Sequence, residues 1–165
     1  MQHRLLIFLS LVTEQLGKPP KSITAKPGDV FFGGHATAPL THRVSNFSGE
    51  QHHVLDIELI DSAASSNFAL AALPARHIPI LANERVRVSR IVLGPGEVFH
   101  NDYAAAPGGV LVVLAGSRLG FWPDDVAMQR RQVDPGWFYV RDDSIPLRIH
   151  NEGDDRLELI NVEIK

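Results

Sequence analysis

The sequence predicts an all-β protein, a barrel or double-sheet sandwich of short strands, and three observations predict it. Residues Arg85 to Leu93 alternate, with Val86, Val88 and Val92 on one face and Arg85, Arg87 and Ser89 on the other, the period-two pattern of a half-buried strand. Val110 to Leu114 is a continuous apolar run closed off by Gly108-Gly109 and Gly116, as in a strand covered on both sides. The third observation is that the chain repeats itself at a distance of about a hundred residues.

The other elements share this texture. Trp137-Phe138-Tyr139-Val140 comes directly after a Pro-Gly turn, and Ile145 to His150 is parted from Leu157 to Ile164 by Asn151-Glu152-Gly153-Asp154, a turn-forming tetrapeptide. Asp61 to Leu73 is rich in alanine and serine and reads as a linker with some helix. At the N-terminus, Arg4 and the apolar run Leu5 to Leu9 resemble a short signal segment. Glu14 interrupts the apolar stretch beyond that run, and no small-x-small cleavage pattern precedes Pro19-Pro20, so a buried strand is expected there. The run is far too short to cross a bilayer.

Composition bounds the function. A chain of 165 residues can bury one core comfortably or two small ones, and 44% hydrophobic with 21% charged residues is the balance of a soluble globular protein. The net charge of −3 gives no electrostatic reason to expect nucleic acid or an anionic membrane as partner. The absence of cysteine excludes disulfides and thiolate metal sites. A chain without thiols suits cytosol and periplasm alike; without a signal segment, the cytoplasm is the expected compartment.

The internal repeat carries most of the fold argument. Leu5-Leu6-Ile7-Phe8-Leu9 matches Val110-Leu111-Val112-Val113-Leu114, and Lys26-Pro27-Gly28-Asp29-Val30-Phe31-Phe32 matches Asp134-Pro135-Gly136-Trp137-Phe138-Tyr139-Val140. His42-Arg43-Val44-Ser45-Asn46 then matches Leu147-Arg148-Ile149-His150-Asn151, and Val54 to Leu59 parallels Leu159 to Ile164. The blocks keep their order and nearly their spacing, which points to one structural unit used twice.

On these residues the sequence resembles the cupin superfamily. Asn83 to Val88 leading into Gly94-Pro95-Gly96-Glu97-Val98-Phe99-His100 resembles the opening of the first cupin motif, G-x5-H-x-H-x3,4-E-x6-G. Pro135-Gly136, a strand and Asn151-Glu152-Gly153-Asp154 resemble the second motif, G-x5-P-x-G-x2-H-x3-N, and its exit. The resemblance implies a double-stranded β-helix, or jelly-roll barrel. It divides the chain into a partial cupin repeat over 1–60, the later half of a barrel; a linker with a possible short helix over 61–82; and a complete cupin domain over 83–165. An enzyme, a sensor and a storage protein all fit such a fold, so activity stays open.

The resemblance also implies where a metal would sit, and the sequence departs from that pattern. His100 stands at the first ligand position and Asp102 replaces the second histidine. The glutamate position falls in Ala106-Pro107-Gly108-Gly109, and Leu147 replaces the second-motif histidine. At best two of four ligands remain for iron, manganese, nickel or zinc. In the earlier repeat, His42 and Asn46 satisfy H-x3-N, but the first motif of that repeat would precede Met1. Metal candidates are therefore His100, Asp102 and His42, none in a complete set, and no cofactor is otherwise expected.

If the pocket is not metallic, a barrel lined by Val86, Val88, Val92 and aromatic residues suits a small, largely apolar molecule. Arg90, on that valine face, could anchor a carboxylate bidentately, against the alternative of a strand-end arginine paired with an acid. His100 and Asp102 could form an acid–base pair, although a turn is the preferred reading. Tyr139 and Asn151 complete the pocket candidates, with Tyr139 simplest as a core or rim aromatic. Two functions are expected from this: a ligand-binding or sensing cupin without strong catalysis or, alternatively, a metal-dependent enzyme of dioxygenase or isomerase type acting on a small organic acid or aromatic. A half-barrel would expose open edges. It is therefore expected to be completed by a second copy of the chain in a homodimer, with extension of the complete barrel or a longer gene as alternatives.

Overall fold

The computed structural model describes residues 2–8, 12–16, 21–34, 45, 49, 51–60, 76–100, 108–122, 127–141 and 148–164, with backbone alone for 2–4, 12–16, 21–23, 34 and 60. The strands are β1 (Gln2–Phe8), β2 (Val12–Leu16), β3 (Lys21–Ala25), β4 (Val30–Gly34), β5 (Val54–Ile60), β6 (His77–Ala82), β7 (Val86–Leu93) and β8 (Val98–His100). They continue with β9 (Gly109–Ala115), β10 (Arg118–Phe121), β11 (Gln129–Gln132), β12 (Phe138–Arg141), β13 (Arg148–Asn151) and β14 (Leu157–Ile164). No helix occurs among the described residues. The chain divides into two compact units, Met1–Ala63 and Ala64–Lys165.

In the second unit, a five-stranded antiparallel sheet of order β12-β9-β14-β7-β6 accompanies a four-stranded one of order β11-β10-β13-β8. The core lies between them. Ile91, Leu93, Leu111, Val113, Leu157 and Leu159 from the first sheet pack with Phe99, Leu119, Phe121 and Ile149 from the second, and with Val133. Two sheets sharing one apolar interior in this strand order fit a double-stranded β-helix, the architecture implied by the motifs.

The face of β7 that looks inward is the reverse of the expected one. Ile91 and Leu93 belong to the core, so the alternation of the strand sends Arg87 and Ser89 inward as well. Val86 and Val88 lie on the opposite face and are fully buried there, beside Val112, Ile160 and Val162. Both faces of the strand are covered, so a valine-versus-charge alternation did not mark inside and outside.

A second difference concerns the segment read as a linker, 61–82. Its first part, including the possible helix over Asp61 to Leu73, lies outside the described residues. His77–Ala82, however, is β6, paired antiparallel with β7. It is the edge of its sheet, and its register shifts between Pro79 and Leu81. An edge strand with an irregular register is where a proline that cannot donate to the ladder is tolerated.

The first unit contains a three-stranded sheet of order β4-β1-β5 and the hairpin β2-β3. Its pairing repeats that of the second unit residue by residue. Leu5 opposite Phe32 and Ile57 corresponds to Val110 opposite Val140 and Val162; Ile7 opposite Val30 and Leu55 corresponds to Val112 opposite Phe138 and Ile160. Gln15 opposite Ser22 corresponds to Gly120 opposite Arg130. The turns agree too. Gly28 N donates to Phe8 O at 2.8 Å and Phe8 N to Asp29 O at 3.0 Å; Gly136 N donates to Val113 O at 2.8 Å and Val113 N to Trp137 O at 2.9 Å. Gly28 and Gly136 both adopt positive φ, 86° and 95°, a conformation that costs a side-chain-bearing residue free energy and explains a glycine after the proline in both turns. The extra residues of the later block fall between β10 and β11, a hairpin connection, where insertions disturb no ladder.

Candidate functional site

The inward face of the five-stranded sheet is apolar at one end and polar at the other. Starting from Leu159 in the core, every second residue of β14 points the same way, which brings in Asn161 and then Glu163. Across the sheet, Glu163 is level with Gly109 of β9 and Arg87 of β7, and Gly109 is level with Arg141 of β12. One row is therefore Arg141, Gly109, Glu163 and Arg87. The next row is Tyr139, Leu111, Asn161 and Ser89. His77 of β6 completes the group: its Nδ1 lies 2.7 Å from Ser89 Oγ, and its ring meets the Phe99 ring edge-on at 4.9 Å.

These groups are withdrawn from water. Asn161 is 0% exposed, Glu163 2%, Arg87 6% and Arg141 7%. Arg87 Nε donates to the Glu163 carboxylate in a buried ion pair. Arg141 has no such direct bond at its outer edge. Burial pulls its pKa below the ordinary arginine value, and the charge of Glu163 and then Tyr139 oppose that drop. Position 109 is a glycine for a reason the structure supplies: a methyl group there would collide with Arg141 Nη2 and with the Val162 carbonyl. The guanidinium of Arg141 thus lies across β9 where a side chain is missing.

Five buried polar atoms in this group have no hydrogen-bond partner among the described residues: Arg141 Nε and Nη2, Asn161 Nδ2 and Oδ1, and His77 Nε2. An unmade buried hydrogen bond costs about 1–3 kcal/mol, and more than about 90% of buried polar groups in native proteins are satisfied. Such a group calls for partners, which ordered water or a bound molecule can supply.

The residues anticipated from sequence are dispersed. Arg90 is on the face opposite the core, with Nη1 3.7 Å from Glu158 Oε2, and Arg156 also bonds Glu158. His100 ends β8 at an exposed position, opposite Arg148. Tyr139 is half-buried in the second polar row, its ring 4.9 Å from that of Phe121. Asn151 is fully buried, but its amide is spent on the backbone: Nδ2 donates to Leu93 O at 3.1 Å and to Asp155 O at 2.8 Å, and Oδ1 accepts from Gly153 N at 3.0 Å. Asp102 and His42 lie outside the described residues. Arg141, Asn161, Arg87 and Glu163 were not singled out as site residues, and His77, which its proline-flanked segment marks as a loop residue, is instead the first residue of β6. For Asn161 and Glu163 the sequence shows only an alternation with the aliphatic Ile160 and Val162, which by itself does not say which face is inward.

A metal fits this row poorly. Among the described residues no group of three or more histidine, cysteine, aspartate or glutamate side chains converges. Glu163 is engaged by Arg87, and Arg87 and Arg141 bring positive charge where a cation would sit. Elsewhere on the second unit, an open cleft of about 640 Å³ is lined by residues including Arg118, Arg130, His150 and Glu152. Its charges are partly matched internally, Glu152 lying 2.8 Å from Arg130 Nε and 3.6 Å from His150 Nδ1.

No protein-family model matches the sequence, and no curated protein matches it. Solved structures do. AerE from Microcystis aeruginosa matches over 99% of this chain and 78% of its own, with a TM-score of 0.63 and 10% identity. The Cupin 2 conserved barrel domain protein from Leptotrichia buccalis matches over 99% of this chain and 74% of its own, with a TM-score of 0.59 and 12% identity. A cupin domain from Bordetella pertussis Tohama I is 23% identical over 54% of this chain and 93% of its own, at a TM-score of 0.45. The first two, together with the sheet order, show the class: this is an all-β protein of the cupin fold.

The polar row has two measurable consequences. Glu163→Gln leaves Arg87 and Arg141 buried without their counter-charge, and is expected to lower unfolding free energy in urea by about 3–5 kcal/mol; a loss below about 1 kcal/mol would mean the pair is not buried as described. His77 is held below the ordinary histidine pKa, chiefly by burial, with Glu163 opposing and Arg87 reinforcing the shift. A depressed pKa means that the unfolded chain takes up a proton the folded barrel refuses. The contribution is therefore present above pH of about 6.5 and lost as the pH falls through the lower folded value. Melting temperature should drop over that acidic range, and His77→Gln should flatten the drop; identical slopes in both proteins would contradict the assignment.

Proposed function

We propose that the barrel of the second unit binds a small, partly apolar organic molecule in its interior, in a binding or sensing role without strong catalysis. One observation carries the proposal: the buried polar atoms of Arg141 and Asn161 that lack partners at the polar end of the interior, next to its apolar core. A guest that supplies those partners removes a cost the empty barrel pays. The surrounding Leu111, Tyr139 and Phe99 suit the apolar part of such a molecule. At the polar row itself the two arginines disfavour a bound cation. The metal-enzyme alternative rests on His100, which is on β8 and not part of that row, and on Asp102 and His42, which lie outside the described residues. No helix among the described residues is long and apolar enough to cross a membrane.

A second proposal concerns assembly. Among the described strands β5 pairs with β1 alone, whereas β14, at the same place in the repeat, pairs with both β9 and β7. A strand from a second copy of the chain at β5 would make the two units equivalent, and a homodimer is the simplest arrangement that supplies it.

Thermal-shift screening of the purified protein against small metabolites, alongside elemental analysis, tests the first proposal. At least one compound is expected to raise the melting temperature, and Asn161→Leu is expected to abolish that rise. Stoichiometric iron, manganese, nickel or zinc, with activity lost on chelation, would restore the enzyme reading instead. Light scattering across a dilution series tests the second, with a dimer mass expected at micromolar concentration and a monomer at every concentration arguing against it.

A further inference from the structure

We infer that the molecule held in the barrel is a small organic monocarboxylate, its carboxylate gripped by Arg141 and a neighbouring hydroxyl, carbonyl or amide of the same molecule met by Asn161. This rests on the reading that the barrel interior binds a small molecule, and it names the chemistry of that molecule.

The unpartnered atoms of Arg141 are Nε and Nη2. They lie on one edge of the planar guanidinium and present two parallel N–H bonds, the fork that matches the two oxygens of a carboxylate. A lysine would present a point charge with no such match. The missing side chain at Gly109 lets Nη2 of this fork lie over β9, at the level of Glu163 and one row from Asn161. A guanidinium so placed in a low-dielectric interior attracts an anion strongly, because no water competes for its donors.

The charge balance selects a single negative charge. Within this row Arg87 and Arg141 carry two positive charges against the one of Glu163, which is already bonded to Arg87, while Arg85, buried immediately before β7, has a partner of its own. One positive charge is left in surplus at Arg141. A monoanion neutralises it; a dianion such as phosphate would bring an uncompensated negative charge towards Glu163. The walls select an organic body. The neighbouring Leu111, Tyr139 and Phe99 side chains are apolar, which favours contact with an organic body over an inorganic ion. Asn161 selects a polar substituent, since its amide offers one donor and one acceptor atom, Nδ2 and Oδ1, both unpartnered and at 0% exposure. His77 Nε2 extends the same polar lining on the β6 side.

From the sequence a carboxylate anchor is expected at Arg90, with pairing to an acidic residue as the alternative, and the alternative is what the structure has. The structure moves that role to Arg141, because Arg90 is turned to the outer face and meets Glu158 there.

Calorimetric titration of the full chain with lactate and benzoate, with lactamide and benzamide as neutral counterparts and with phosphate and chloride at matched ionic strength, tests the inference. At least one carboxylate should bind, and its amide should bind at least about tenfold more weakly. Arg141→Lys should weaken carboxylate binding at least about tenfold while the melting temperature stays close to wild type. Arg141→Met should abolish binding and raise the melting temperature of the empty protein, since it removes a buried charge that lacks a full partner. Equal affinity for acid and amide, unchanged affinity in Arg141→Lys, or binding of phosphate but of neither carboxylate would overturn the inference. So would a lower melting temperature in Arg141→Met, since it would show the arginine to be structural. If neither carboxylate binds while a neutral compound from the wider screen does, the carboxylate assignment fails and the small-molecule reading survives. If nothing in that screen binds, both fail.

Discussion

The polar interior of the barrel is organised around one carboxylate. Glu163 sits at the middle of the five-stranded sheet, level with Arg87 on one side and, across Gly109, with Arg141 on the other. Without it, two guanidinium groups would be held almost out of contact with water. With it, Arg87 is compensated through a direct bond, and Arg141 is compensated only through space. That asymmetry makes Arg141 available. A fully matched pair of ion pairs would be a structural fixture; one carboxylate between two arginines leaves a charge and two donors to spend.

The same constraint is visible in the repeat. At the corresponding three-strand position the first unit has Arg4 opposite Gly33 and Glu58, and the second has Gly109 opposite Arg141 and Glu163. Arginine and glycine have changed places across the same strand pair, while the glutamate has stayed. The neighbouring position is Asp56 in one unit and Asn161 in the other. Two β-rich stretches matched by chance would not hold equal registers through three strand pairs, equal turn bonds at Gly28 and Gly136, and a common Arg–Gly–Glu level. The pairing supports a shared design, in which the strand backbone is kept and the polar level is redistributed.

Much of the fold was legible in the sequence, and little of the site. The strands at Val110 to Leu114, Trp137 to Val140 and Leu157 to Ile164 were plain because glycine and proline turns bound them. The repeat was plain because turns and registers constrain spacing. Two things misled. Pro79 masked β6, since proline argues against a strand except at an edge. The alternation along β7 points its valines inward, because charged residues normally face water. That inference needs one wet face, and β7 has none: its valines are buried on one side and Arg87 is buried against Glu163 on the other. Asn151 illustrates a related limit. It stands where the family pattern ends, and in the structure it serves the backbone around Leu93 and Gly153.

What the sequence by itself determined is local and periodic: an all-β chain, the positions of its turns, and the recurrence of a strand–turn–strand block. These depend on neighbours along the chain, and neighbours along the chain are what a sequence displays. Which face of each strand became the interior, and which charges met there, was decided only when β7, β9, β12 and β14 lay side by side. Arg87 and Glu163 are 76 positions apart in sequence, with Gly109 and Arg141 between them, and all four share one level of one sheet. Burial of a charge is decided by its cross-strand partners, and strand order, unlike strand periodicity, is a property of the folded chain.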